Sequence, residues 1–175
     1  MCHIDERHTG FGLLEIKRKA AEVTFLYEKH GSMLAAYLCC RGFDSASAED
    51  VVQQVLVKLL EGNGPLPQMP LPYLYRAVRN ASLNLRRNLQ RAVPLHEHEN
   101  WLVGPDGHPE EALALQAALR SLPEEQRDAV FLRIWGGMTL QEIADALQIP
   151  INTVASRYRY ALEKLRERLE PCSKR

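Results

Sequence analysis

The sequence predicts an all-α protein of two small helical domains joined by a flexible linker, with a helix-turn-helix in the C-terminal domain. Apolar residues recur at threes and fours along most of the chain. A stretch rich in Pro, Gly, His and acid interrupts this pattern at 93–111. We expect an N-terminal extension at 1–20, domains at 21–92 and 112–170, and a tail at 171–175.

Charge balance and hydropathy exclude two classes of protein. The chain has 175 residues, with 22 Lys and Arg against 22 Asp and Glu, so it is not a nonspecific polycation. Any affinity for nucleic acid must come from local basic surfaces. The longest apolar run, 33–40, is too short to span a bilayer, and the N-terminus lacks the apolar core of a signal peptide. We therefore expect a cytoplasmic protein without membrane insertion.

Helical spacing predicts a first helix at 21–40, after a polar lead-in that contains at most one or two helical turns. Gly31 weakens the middle of this helix, and Gly42 is a natural stop. The polar character of the lead-in gives no further indication of structure. The lead-in has either a regulatory role or no role.

Four cysteines are present, and none belongs to a CxxC pair. The adjacent Cys39 and Cys40 do not easily bridge to each other, so we expect buried, reduced thiols. A redox switch that uses Cys2 or Cys172 is the alternative.

The second helix is predicted between a start signal at Ser47 and Asp50 and a stop at Gly62. Its apolar positions are too numerous for one narrow stripe. Either its own domain buries them all, or a partner covers some of them. In the second case four polar residues would frame the contact: Glu49, Asp50, Gln53 and Gln54.

A proline-rich loop is predicted at 64–72, and a cationic helix follows at 73–91. This helix contains no acid, whereas a solvated surface helix normally mixes charges of both signs. Tyr73 and Tyr75 could also stack on bases, so the composition favours a nucleic-acid partner. The candidate contacts are Arg76, Arg79, Asn80, Asn84, Arg86 and Arg87.

The predicted linker contains the sequence His96-Glu97-His98, which could suggest a metal site. No further cluster of metal-ligand residues stands nearby in the sequence. We therefore expect a polar linker and no metal. Beyond it, helices are predicted through 112–119 and again from Pro123, where acids in the first turn interact favourably with the helix dipole.

The last two helices form the predicted helix-turn-helix. Thr139 and Glu142 make a capping box before the first, and Pro150 starts the second after a tight turn. A helical hairpin with a solvated basic face would have the same pattern. The face opposite Val154, however, offers hydroxyls, amides and guanidinium groups to bases and phosphates. The candidate readers are Asn152, Thr153, Ala155, Ser156, Arg157, Arg159 and Tyr160.

Catalytic motifs are missing from the sequence. It has no Gly-rich phosphate loop, no GxSxG and no paired Cys/His spacing, and its carboxylate pairs fall at solvated helix starts. We therefore expect neither an enzyme nor a cofactor.

Three segments together resemble the extracytoplasmic-function (ECF) group of bacterial RNA polymerase sigma factors. AEDVVQQV at 48–55 is similar to the AEDLVQEVF segment of that family, and YLYRAVRN at 73–80 is similar to its WLYRIARN segment. LPEEQR at 122–127, continued through Leu165, resembles the opening and helix-turn-helix of its C-terminal domain. Their order and spacing match the family, and the resemblance covers roughly four fifths of the chain.

The resemblance implies a promoter-specificity subunit in transcription initiation. The helix that contains Asp50, Gln53 and Gln54 would dock on the coiled coil of the largest polymerase subunit, and the C-terminal domain on the flap of the second-largest. The cationic helix would hold the melted −10 element, and the 152–166 helix would read the −35 element in promoter DNA. The linker would thread toward the RNA exit path, and an anti-sigma protein is an expected partner.

Ala155 is a departure from the family pattern that bears on promoter recognition. Many members have Lys or Arg where Ala155 stands, so the base preference of this chain is expected to differ. Two other functions fit parts of the sequence: a stand-alone helix-turn-helix regulator, and a sigma-mimic adaptor that sequesters an anti-sigma protein. The first would need a dimerisation helix that is not evident here, and the second would not need cationic DNA faces.

Overall fold

Helices make up most of the computed structural model, which describes residues 6–62, 64–68, 70–89 and 109–169. These ranges contain no strand, so the predicted all-α class is confirmed. The predicted linker lies almost wholly outside them. The helices are α1 (Glu6–Cys40), α2 (Ser45–Glu61), α3 (Pro70–Leu89), α4 (Pro109–Arg120), α5 (Glu124–Ile134), α6 (Leu140–Leu147) and α7 (Ile151–Leu169).

The first helix is longer than predicted, because α1 begins at Glu6 and includes most of the polar lead-in. Lys19 donates hydrogen bonds to the carbonyls of Gly62 and Gly64, which tie this part of α1 to the loop after α2. An apolar stripe is a poor guide here, since residues 14–20 are largely exposed. Residues 6–20 of the lead-in therefore belong to the long helix.

Two glycines in this region have different roles. Gly31 does not interrupt α1, and a Cβ there would come within 2.8 Å of the Tyr27 ring, so glycine leaves room for that ring against the helix. Gly42 ends the helix as predicted, in the left-handed region with a φ of 93°. Its N–H donates to the carbonyl of Cys39, and that of Phe43 donates to the carbonyl of Leu38.

The start signals of α2 and α3 differ from the predicted ones. Asp44, not Ser47, caps α2: its carboxylate accepts from the N–H of Ser47 at 2.8 Å, and the helix begins at Ser45. The helix α3 begins at Pro70, inside the predicted loop. Prolines are tolerated there because the first N–H groups of a helix have no intrahelical acceptor.

The capping box of the helix-turn-helix is confirmed. The N–H of Glu142 donates to the Thr139 hydroxyl at 3.2 Å, and the N–H of Thr139 donates to the Glu142 carboxylate at 2.7 Å. That second hydrogen bond lowers the pKa of Glu142. The box therefore stabilises the fold at neutral pH, and its contribution is lost as the pH falls through the lowered pKa of the folded state.

A left-handed residue makes the turn between α6 and α7. Gln148 has a φ of 57°, and Ala144 is buried, as expected for a small residue at a helix crossing. Val154, Ala161 and Leu165 face the core. Helical spacing also predicts an inward position for Leu162, but this residue is 39% exposed.

The hydrophobic core connects the N-terminal and C-terminal halves of the chain. The Tyr37 ring of α1 meets Tyr75 of α3 edge-on at 5.4 Å and Phe131 of α5 at 5.5 Å between centroids. Trp135 stacks on Phe131 at 5.5 Å. Buried residues of α1, α2, α3, α5, α6 and α7 belong to this one cluster, and a second, smaller cluster lies among α4, α5 and α7. The two predicted domains therefore pack against each other.

We predict that Thr139→Ala lowers the free energy of unfolding by about 1 kcal/mol, the usual contribution of an N-cap side chain. Thr139→Ser is the matched control, because it keeps the hydroxyl that accepts from Glu142. Urea denaturation followed by circular dichroism measures both. Equal stabilities for the two variants would contradict a stabilising role for the cap.

Candidate nucleic-acid and polymerase interfaces

Four of the six candidate contacts on α3 face away from the rest of the molecule. Asn80, Asn84 and Arg87 are exposed, and Arg87 donates a hydrogen bond to the Asn84 side chain. Arg76 is half-buried and lies over the Tyr73 ring, 5.7 Å from its centroid. These cations and amides form a continuous strip on one side of the helix.

The other two candidates on α3, Arg79 and Arg86, lie against α5. The Arg79 Nε is 3.6 Å from Asp128, and the Arg86 Nη1 is 3.0 Å from Glu124. The Arg86 Nη2 also donates to the carbonyl of Arg41 at 2.7 Å. Both guanidinium groups are thus paired with carboxylates of the C-terminal half.

Base stacking is possible for only one of the two tyrosines proposed for it. Tyr75 is 1% exposed and packs on Tyr37 in the core, so the expectation that it stacks on bases is wrong. Tyr73 is only half-buried. Helical spacing would have placed Tyr75 beside Leu74 and Val78 on the inward face, but its aromatic character favoured the other interpretation.

The candidate readers on α7 are all exposed or half-buried, and none is fully buried. Asn152, Arg159 and Tyr160 are exposed, and the Arg159 guanidinium lies 5.0 Å from the centre of the Tyr160 ring. Its Nε is 4.0 Å from Glu163, at the limit of an ion pair, and its side chain is 66% exposed. Such a weakly held guanidinium is free to reach a base edge. The half-buried candidates are Thr153, Ala155, Ser156 and Arg157.

The four polar candidates on α2 are exposed as expected: Glu49, Asp50, Gln53 and Gln54. Next to Gln53, an apolar groove of about 310 Å³ lies between α1 and α2. Tyr27, Val57 and Leu60 line it with side chains that are 45%, 51% and 38% exposed. The surplus apolar surface of α2 is therefore not covered by the described part of this chain.

An ionic network that joins the two halves was not predicted from the sequence. Asp128 and Phe131 are buried on the same face of α5. The half-buried Glu124 lies on that face one helical turn before Asp128. The Arg41 Nη1 lies 2.6 Å from each Asp128 carboxylate oxygen, and its other terminal nitrogen pairs with Glu124. A carboxylate on an apolar stripe signals a buried cation, and this signal could have been read from the spacing.

Neither a metal site nor a membrane span is evident where the chain is described. No group of three or more His, Cys, Asp and Glu in these ranges could hold a metal ion, and no helix there is long and apolar enough to cross a membrane. His96, Glu97 and His98 lie outside the described residues.

The buried cysteines agree with the predicted reduced thiols. Neither Cys39 nor Cys40 belongs to a disulfide, and both are buried, at 6% and 1% exposure. Burial raises the pKa of Cys40 to about 12, so its thiol stays protonated at neutral pH. Cys2 and Cys172 lie outside the described residues, and the redox alternative for them stays a prediction.

Comparison with known families matches both halves of the chain. The model for Sigma-70 region 2 matches residues 26–92, which contain α2 and α3. The model for Sigma-70, region 4, matches residues 112–165, which contain the helix-turn-helix. The helices that present the candidate residues thus fall within two regions of one protein class, the sigma factors.

Several curated sigma factors are similar to this chain along most of its length. The RNA polymerase sigma-E factor of Streptomyces avermitilis is 33% identical over 135 residues, which are 73% of each protein. The ECF RNA polymerase sigma factor SigL of Mycobacterium tuberculosis is 27% identical over 161 residues, covering 87% of this chain and 91% of that protein.

Two solved structures have a similar fold. One is the sigma factor RpoE in complex with the anti-sigma factor NepR from Bartonella quintana, with a TM-score of 0.63 and 22% identity. The match covers 84% of this chain and 97% of the RpoE chain. The other is CnrH in complex with the cytosolic domain of CnrY, with the same score and identity, covering 89% and 95%.

The family follows from these findings. The chain belongs to the ECF group of RNA polymerase sigma factors, a family of transcription initiation factors. It is an RNA polymerase-binding sigma factor that contains sigma regions 2 and 4.

We predict that iodoacetamide modifies Cys40 in the folded chain more than about a hundredfold more slowly than in the unfolded chain at about pH 8, because thiolate is scarce at this raised pKa. Cys39, also buried, should be protected as well. Peptide mapping by mass spectrometry after timed labelling, with and without urea, measures both rates. Fast modification in the folded state would contradict the buried positions.

Proposed function

We propose that this sigma factor directs promoter recognition through three surfaces: α2 for core polymerase, α3 for the −10 element and α7 for the −35 element. One observation carries the proposal most strongly. α3 contains no acid, and the exposed strip it presents consists of cations and amides on a chain whose net charge is zero. A surface of this composition favours a polyanion over solvent.

The polymerase surface is proposed to be the exposed face of α2. Asp50, Gln53 and Gln54 supply polar contacts beside the groove that contains Val57 and Leu60. An apolar patch with a polar rim is the composition expected of a protein interface. The proposed occupant is the coiled coil of the largest polymerase subunit, while residues 112–170 contact the flap of the second-largest.

The −10 contacts are proposed for the strip on α3. Arg76, Asn80, Asn84 and Arg87 are accessible to a single strand, and Tyr73 is available for stacking. Phosphate contacts fix the register of the strand, and amide contacts to bases add sequence preference. Arg79 and Arg86 complete the set only when their carboxylate partners are displaced.

The −35 contacts are proposed for the N-terminal half of α7. In a helix-turn-helix the second helix enters the major groove, and its first turns reach the base edges. Asn152 and Arg159 are exposed there, and Ala155 leaves space where a longer side chain would contact a base. Arg159 is the proposed principal reader, because arginine binds the edge of guanine with two hydrogen bonds.

The proposed partners also include an anti-sigma protein, since both solved relatives are described as complexes with such a protein or with a cytosolic domain. Because the proposed partner polymerase acts on the chromosome, the proposed location is the cytoplasm. Residues 21–92 and 112–170 are the proposed domains, joined by the 93–111 linker.

Run-off transcription of genomic DNA by bacterial core polymerase, with and without the protein, tests the proposal. New transcripts that share one pair of upstream elements are expected. Duplex binding by the protein alone, without any new start, would favour a stand-alone regulator. Neither binding nor new starts would favour an adaptor that sequesters an anti-sigma protein.

We predict that Arg159→Ala weakens binding of the holoenzyme to its −35 element by about 1 to 3 kcal/mol, because one bidentate base contact is lost. Arg168→Ala is the control, since it removes an equal charge farther along the same helix. Fluorescence anisotropy with the identified promoter and a scrambled duplex measures the difference. Equal losses on both duplexes would exclude Arg159 as a base reader.

We also predict that Arg87→Ala lowers the affinity of the holoenzyme for single-stranded −10 DNA for all sequences alike and reduces the salt slope by about 1, because one phosphate contact disappears. Arg18→Ala removes an exposed arginine from α1 as a control. Binding titrations over a range of salt concentrations measure the slope. A loss confined to one sequence would point to base recognition instead.

A further inference from the structure

The contact between the two halves uses groups that the proposed function needs elsewhere. Glu124 pairs with Arg86 at 3.0 Å, and Asp128 lies 3.6 Å from Arg79. Both arginines stand on the helix proposed to hold the −10 strand. A guanidinium that is paired with a carboxylate offers fewer donors to a phosphate, because both anions use the same fork of N–H groups.

We propose that Glu124 and Asp128 form an autoinhibitory latch, which closes the region 4 half over α3 and competes with DNA phosphates for Arg79 and Arg86. This inference rests on the proposed role of α3. It adds a closed state in which the chain covers part of its own DNA-binding face. The occupants of this face are then mutually exclusive: two carboxylates of α5, or the backbone of the −10 strand.

Arg41 anchors the latch on the region 2 side. Its guanidinium holds Asp128 through Nη1 and Glu124 through Nη2, and its carbonyl accepts from Arg86. Arg127 adds a hydrogen bond of 2.9 Å to the carbonyl of Cys40. These bonds join residues more than 80 positions apart in the sequence, so they form only when the two halves close.

The latch is incompletely satisfied, which suits a contact that must open. The Nε atoms of Arg41, Arg79 and Arg127 are buried without a hydrogen-bond partner in the described part of the chain. Buried donors without acceptors weaken a closed state. Glu124 is 36% exposed, so water and a competing anion have access to one end of the network.

The charge of Glu124 is maintained in the closed state. Burial raises the pKa of its carboxyl, but Arg41 and Arg86 outweigh that effect and leave the pKa lowered. At neutral pH Glu124 therefore carries a full negative charge. This charge stands where the phosphate of a bound strand would otherwise meet Arg86.

The test compares Glu124→Gln with Glu125→Gln in the full-length protein. Glu124→Gln removes one of the two carboxylate charges of the latch and keeps the shape of the side chain. Glu125→Gln makes the same change at the next residue, which is exposed and has no ion pair within the described ranges. Glu124 is partly exposed, so its variant should fold, and circular dichroism verifies this. Asp128→Asn is a second latch variant.

Two measurements are made on each variant without polymerase. Small-angle X-ray scattering gives the radius of gyration, about 16 Å for a compact chain of this length. Fluorescence anisotropy with a labelled single-stranded oligonucleotide of random sequence gives the affinity. For Glu124→Gln we expect a larger radius and about fivefold tighter binding, the scale of one partly exposed ion pair. Glu125→Gln should keep the wild-type radius and bind clearly less tightly than Glu124→Gln.

Equal gains in affinity for the two variants would overturn the latch, because the effect would then come from net charge alone. An unchanged radius for both Glu124→Gln and Asp128→Asn would also overturn it. Opening without a gain in affinity would overturn the autoinhibitory role. If the variants open but no form binds the oligonucleotide, even with core polymerase present, the proposed function of α3 fails rather than the closed state.

Discussion

The buried ion pair between Arg41 and Asp128 determines how the two halves of this chain meet. Both side chains are almost completely removed from water, at 1% and 3% exposure, and the two carboxylate oxygens lie 2.6 Å from one guanidinium nitrogen. Burial lowers the pKa of Arg41, but Asp128, Tyr37 and Glu124 together outweigh that effect and leave the pKa raised, so the arginine stays charged. An isolated buried charge would be strongly destabilising, and therefore each half depends on the other to neutralise it.

The aromatic core lies next to this ion pair. The Arg41 guanidinium is 5.6 Å from the centre of the Tyr37 ring, and that ring contacts Tyr75 and Phe131. Edge-on and tilted contacts of this kind add to the stability that burial alone supplies. The end of α1 is thus the place where packing and electrostatics act together, and α3 and α5 are positioned against it.

Charge segregation explains how a chain without net charge presents surfaces suited to nucleic acid. The helix α3 carries arginines and asparagines without acids, and Glu124 and Asp128 of α5 are directed toward it rather than toward solvent. The exposed strip on α3 stays positive, while the inward arginines are neutralised. Nearby, α2 leaves Val57 and Leu60 uncovered beside its polar residues. Such unbalanced surfaces are expected of a subunit that acts within an assembly.

Three features of this protein follow from its sequence alone. Its periodicity predicts the all-α class, its capping residues predict the box at Thr139 and Glu142, and its motifs predict the two regions of a sigma factor. All three features depend on residues that are close together in the sequence. Only the tertiary structure decided which polar groups turn inward. Tyr75 looked like a stacking residue but is buried in the core, and Arg86 looked like a free cation but is paired with Glu124. Local patterns cannot specify such contacts, because a side chain's partner across the fold depends on how distant helices pack.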